Sequence, residues 1–214
     1  MRNRHLLIIL FMILGSETLL AAEVSAVLVD QEGEPLDDAV LYLHAVNGEQ
    51  PQFEPAESTI DQVDKAFVPH VRVVTRNSSV GFPNSDDIRH HVYSFSDART
   101  FELPLYIGTP ANPIVFDQAG VVDLGCNIHD FMRGYVLVVE TPYYAKSDAG
   151  RAQLTALPAG ELEIRVWHPR LVGEEPLSQM IDLTDDGSHE LNLTLELRGE
   201  LGSRRAPKRR GRRY

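Results

Sequence analysis

The sequence predicts an all-β chain folded as β-sandwiches, on three observations. Short apolar stretches alternate with polar residues at the two-residue period of a half-buried strand. Gly, Pro, Asn and Asp punctuate the intervals between them. No strong amphipathic-helix pattern follows the first 22 residues. At 43% hydrophobic residues in 214, the chain can bury a core, which rules out disorder throughout. The length suits one large domain or two small ones.

The first strand is Val24 to Val29, in the alternating run EVSAVLV, and a turn follows at Gln31-Glu32-Gly33. Ala39 to His44, AVLYLH, reads as the second strand. Residues 47–58 are polar with two prolines and read as a loop. Val68 to Thr75 and His91 to Phe95 are strand-like, separated by the turn-rich NSSVGFPNSDD. Val121-Val122 and Tyr135 to Glu140 come next. Ala152 to Leu154, Leu162 to Trp167, Gln179 to Leu183 and Glu190 to Leu197 complete the strands.

The ends differ from the body. Arg2, Arg4 and His5 precede the apolar run Leu6 to Leu14, and small residues stand at Ala21-Ala22. That is the pattern of an export signal over residues 1–22, with an uncleaved N-terminal anchor as the other reading. The run is shorter than the ~20 apolar residues of a membrane span, so no stable span is expected after cleavage. Residues 199–214 read as a basic, disordered tail, with seven Lys/Arg and no Asp/Glu from Ser203 onward. Between the ends, residues 23–202 hold 11 basic and 30 acidic side chains, so the overall charge of −11 conceals a body near −19. An acidic body argues against nucleic-acid binding.

Cys126 is the single cysteine. It excludes an internal disulfide, a Cys-x-x-Cys redox pair and a multi-cysteine metal site. Exported chains usually pair their cysteines, so an unpaired one calls for a reason. A buried inert thiol, an intermolecular bridge and a metal-held thiolate all supply one.

The segment Gly125-Cys126-Asn127-Ile128-His129-Asp130-Phe131-Met132 favours the third. It spaces a thiolate, an imidazole and a thioether as Cys-x2-His-x2-Met, a soft donor set that suits copper. A second imidazole is available 36 residues upstream of Cys126, at His90 in FPNSDDIRHHV. Taken singly, Cys126 reads better as a buried apolar residue, His129 as a surface residue and Met132 as core filler; jointly, with the export signal and the unpaired thiol, they favour copper. Consecutive strand residues face opposite sides, so only one of His90 and His91 should face a metal, and His90 is preferred.

From about Thr59 to Glu140 these motifs resemble the cupredoxin, or blue copper, family. Val80, Phe82, Asn84, Asp86, His90 and Val92 match that family's run ahead of its first ligand histidine. The loop after Cys126 has the short spacing of amicyanin-type members. FPNSDDIRHHVYSFS, FELPLYIG, VVDLGCNIHDFMRGYV and TPYYA are similar to a bacterial group of methylamine-utilisation-protein-like, or plastocyanin-like, cupredoxins. The resemblance implies a Greek-key sandwich over 59–140 that binds one copper ion. It implies His90, Cys126 and His129 as equatorial ligands and Met132 as the weak axial one. His91, Asn84 and Asn127 are candidates for the groups around them. Two departures stand out: His91 replaces the Asn usual after the first ligand, and Leu124-Gly125 replace the aromatics usual before the cysteine.

The flanks resemble a second family, the carboxypeptidase-regulatory-like, transthyretin-like sandwich. Asp30 to Leu36 with Ala39-Val40 match its opening; Ser147 to Leu154, Leu157-Pro158-Ala159-Gly160 and Leu162 to Trp167 match its continuation. This implies a smaller sandwich split over 23–50 and 141–198, with the copper domain inserted. The competing arrangement is serial, with 23–50 as an edge hairpin on the copper domain. The expected function is a periplasmic, non-enzymatic one-electron carrier for a basic, transient redox partner. Copper storage or delivery, or a cell-envelope binding module, is the alternative.

Overall fold

The structure is a computed structural model that describes residues 22–110, 112–173, 175–184 and 187–199. The expected export signal, apart from Ala22, and the basic tail, apart from its first residue, lie outside the described residues. The described chain is all-β. Its strands are β1 (Ala22–Asp30), β2 (Val40–Val46), β3 (Glu57–Thr59), β4 (Asp61–Val63), β5 (Ala66–Val68), β6 (Val71–Thr75), β7 (Ser78–Gly81) and β8 (His90–Ser96). They continue with β9 (Arg99–Tyr106), β10 (Ile114–Phe116), β11 (Gly120–Gly125), β12 (Arg133–Val139), β13 (Tyr144–Lys146), β14 (Arg151–Leu157), β15 (Gly160–Trp167), β16 (Leu177–Leu183) and β17 (Ser188–Leu195).

Two sandwiches result. In one, the sheet β14-β1-β17 faces the sheet β13-β2-β15-β16, and Val24, Leu28, Leu41, Leu43, Leu154 and Ile164 fill the space between. In the other, β6-β12-β11-β8-β9 faces β10-β7-β3 across Val80, Phe82, Val92, Phe116, Val122 and Val136. The hairpin β4-β5 flanks the second sandwich. Strands β1 and β2 pair with β13, β14, β15 and β17. Among the described residues no strand ladder joins them to β3–β12.

β2 and β12 explain why two stretches of the sequence lack alternation. Leu41 and Leu43 face the first core while Val40 and Tyr42 face outward. Val136 and Val138 face the second core while Leu137 and Val139 face outward. The outward residues meet, with Val71 and Trp167, in a third apolar cluster that joins the two sandwiches. Strands buried on both faces need apolar residues at every position, which is what VLYL and YVLVV supply.

Some sequence-based boundaries move. The expected strand Val68 to Thr75 is two strands, β5 and β6, broken at Pro69-His70. The turn-rich stretch 77–87 contains β7, and the loop 47–58 ends in β3. β4, β9, β10 and β13 had no expected counterpart. β9 runs half-exposed along a sheet edge and includes Pro104, a residue that strands tolerate at an edge but that hides them from pattern reading.

His168 follows Trp167 at the seam and is 7% exposed. Its Nδ1 accepts a hydrogen bond from the Arg170 amide at 3.1 Å. Burial, and then the Arg170 charge, pull its imidazole down to about 4. An unfolded His titrates near ~6.5, so the unfolded chain takes up this proton first. The resulting stability is present above about pH 6.5 and is lost as pH falls toward about 4. In urea unfolding of the metal-free protein, His168→Gln should lose on the order of 2 kcal/mol less than the parent between pH 7 and pH 4. Equal losses in the two proteins would count against this assignment.

Candidate metal centre

The second sandwich brings three separated donors together at one end. His90 opens β8, and Cys126, His129 and Met132 lie on the loop from β11 to β12. That loop is closed on itself by a hydrogen bond from the Met132 amide to the His129 carbonyl at 2.8 Å. His90 is 0% exposed, Met132 1% and Cys126 3%; His129 is half-buried. Cys126 and Met132 belong to the core cluster of the sandwich.

The donor atoms converge. Cys126 Sγ lies 3.9 Å from His90 Nδ1 and 3.9 Å from His129 Nδ1. One donor atom from each of the three residues falls within 4.8 Å of the others. Ligands sharing one ion through bonds of about 2.0–2.3 Å sit roughly 3.5–3.8 Å apart, so the trio needs little movement to close on a metal. One thiol, two imidazoles and a neighbouring thioether form a set suited to copper. His129 stands below the ordinary imidazole pKa, first through burial and then through the charges of His90 and Lys65. That favours the neutral ring, the form that binds metals.

His91 turns away, as strand alternation requires. Its Nε2 meets Glu102 Oε1 at 2.8 Å, and its Nδ1 is buried with no hydrogen-bond partner. The β8–β9 register shifts between His90 and Val92. Asn84 does not reach the donor atoms. Its Nδ2 donates to the carbonyls of Ile88 and Tyr106, both at 2.9 Å, and its Oδ1 accepts from the Asp86 amide at 3.1 Å. It thereby shapes the loop ahead of His90. Asn127 is exposed in the β11–β12 loop.

Sequence reading missed three participants. Asp86 Oδ2 lies 2.6 Å from His90 Nε2, on the side of the ring away from Cys126. Its place four residues before the histidine was visible, but nothing in the sequence showed it would fold back. Gln62, fully buried, donates to the Pro83 carbonyl at 3.0 Å and to the Tyr106 hydroxyl. Tyr93 supplies the aromatic that the sequence lacks beside the cysteine. Its ring lies against Gly125, where a Cβ would approach Tyr93 Cζ to 2.6 Å. The aromatic thus comes from the paired strand, through Gly125↔Tyr93.

No protein-family model matches the chain, and no curated protein matches it. Among solved structures the chain is similar to a Cu-containing nitrite reductase (NirK) from Thermus scotoductus SA-01, at 23% identity and TM-score 0.38. That match covers 54% of this chain and 28% of the reductase, so the chain spans little more than a quarter of the reductase's length. It is also similar to a purple cupredoxin from Nitrosopumilus maritimus, at 20% identity and TM-score 0.34, covering 39% of this chain and 98% of that one. An amicyanin mutant in its reduced state matches at 24% identity and TM-score 0.35, covering 48% of this chain and 99% of that one.

Gly125→Ala should force the Tyr93 ring off the strand and disturb the adjacent Cys126. Overpacking of this kind costs about 1–3 kcal/mol, measurable as a lower urea midpoint. Gly125→Ala combined with Tyr93→Ala should recover part of that loss; no recovery would place the clash elsewhere.

Proposed function

We propose that this chain is an exported, non-enzymatic cupredoxin that carries single electrons through one copper ion. The observation that supports this reading most is the placement of Cys126 Sγ between two imidazole Nδ1 atoms, each at 3.9 Å, at the edge of an apolar core. His90, Cys126 and His129 are the proposed strong ligands and Met132 the weak one. A copper ion held there supplies one-electron exchange between Cu(II) and Cu(I), and a soft, mixed donor set accommodates both states.

The chain's own residues then have distinct tasks. The apolar surroundings of Cys126 and Met132 exclude water from the thiolate. His129, half-buried and with its ring 5.5 Å from Phe131, is the ligand nearest solvent and the proposed exit for the electron. Ile128 beside it is 49% exposed and offers an apolar contact. The acidic body favours a basic redox partner that docks transiently and loses affinity as salt rises. In domain terms we take 59–140 as the copper domain, inserted into a sandwich formed by 23–50 and 141–198, in a periplasmic protein.

Titrating the purified protein with Cu(II) tests this reading. Uptake of one equivalent is expected, with a thiolate-to-copper absorption band and a reversible potential, and Cys126→Ala should abolish the band. Tight Cu(I) binding without reversible cycling would favour storage or delivery. No uptake would leave only a cell-envelope binding module. Met132→Gln should keep the metal and shift the potential; loss of the metal would mean Met132 is not a weak axial ligand.

A further inference from the structure

The hairpin β4-β5 has no part in either sandwich core sheet, yet its tip points at the metal centre. Its two-residue turn, Asp64-Lys65, has φ of 52° and 61°. Two left-handed residues between paired strands make a type I′ turn, and successive amides in such a turn form a small anion-binding concavity. The anion here is the Asp86 side chain. The Asp64 amide donates to Oδ1 at 2.7 Å and the Lys65 amide to Oδ2 at 2.9 Å. The same Oδ2 lies 2.6 Å from His90 Nε2. Asp86 is 12% exposed and His90 is 0% exposed.

The hairpin is fixed to the ligand loop along its length. Asp61 Oδ2 accepts from the Ser85 hydroxyl at 2.7 Å. The Gln62 amide donates to the Pro83 carbonyl at 3.1 Å, and the Ser85 amide donates to the Gln62 carbonyl at 3.1 Å. On the other arm Phe67 packs on Gly134, where a Cβ would approach the Phe67 Cβ to 2.8 Å.

Resting on the copper reading above, we infer that Asp86 is a positioning residue whose negative charge, held in place by the hairpin amides, lowers the reduction potential of the centre through His90. A carboxylate on the far nitrogen fixes the tautomer, leaves Nδ1 bare toward Cys126 and makes the imidazole a stronger donor. Added negative charge beside a buried ligand favours the more positive ion, Cu(II) over Cu(I).

The test uses the full chain with Asp86→Asn and Asp86→Ser, which remove the charge and keep a hydrogen-bonding group. At fixed ambient potential the Cu(II)/Cu(I) ratio should fall at least tenfold in either variant, equivalent to a potential higher by about 59 mV. Changing Asp64 to Asn keeps both amides, the turn and the Lys65 charge, so its potential should stay near the parent value. In the metal-free parent, nitrogen-15 NMR should show the His90 proton on Nε2, and the neutral variants should weaken that preference. A copper-loaded neutral variant with the parent potential would overturn the inference. Loss of copper in both neutral variants but not in Asp86→Glu would support it; loss in all three would overturn it. If the parent binds no copper, the copper reading itself fails, and the NMR comparison still decides whether Asp86 sets the His90 tautomer.

Discussion

A thiol and two imidazoles at the end of an apolar sandwich set the terms for everything around them. Polar atoms removed from water need partners, and each Nδ1 faces Cys126 Sγ at 3.9 Å, a weak contact for a buried nitrogen. Such a cluster stays together only if the backbone carrying it is over-determined. The β11–β12 pairing brings Gly125 opposite Arg133 and thereby closes the seven-residue loop that holds Cys126, His129 and Met132. The β8–β11 contact at Tyr93 and Gly125 then sets His90 beside that loop. The side chains are fixed by ladders on both sides rather than by loop preference, the arrangement that holds a site most closely.

The second sandwich acts on the first through β2 and β12. Each sends alternate side chains into its own core and the rest into the shared seam of Val40, Tyr42, Val71, Leu137, Val139 and Trp167. β12 also carries the downstream end of the ligand loop. A strand buried on both faces has few alternative registers, because a one-residue slip exchanges its two faces. The flanking sandwich thus supports the thiol–imidazole cluster from a distance, by pinning the strand that ends its loop.

What was legible in the sequence was whatever depends on local pattern. Strand alternation gave the all-β class and the opposite facing of His90 and His91. Donor spacing singled out Cys126, His129 and Met132, and the distant His90 joined them through a motif of residue types. What was not legible depends on long-range pairing. Asp86 meets His90 only because Asp64 and Lys65 adopt left-handed backbone and aim their amides at it. Neither residue is glycine, so no turn signal announced the geometry. Tyr93 covers Gly125 because β8 pairs with β11, and the sequence showed only that an aromatic before the cysteine was missing. β9 escaped notice because Pro104 and an exposed edge blur its period.

The two histidines are held by opposite means. His90 is sealed from solvent and gripped through a carboxylate that is itself gripped by two amides. His129 is half-buried, leans on Phe131 and His90 rings at 5.5 and 5.0 Å, and feels the charge of Lys65 and then that of Asp86. Negative charge reaches the ring on the closed side, and an apolar edge with Ile128 remains on the open side. Asp86 therefore lies behind His90, away from Cys126, while the side beside His129 keeps the exposed, apolar Ile128.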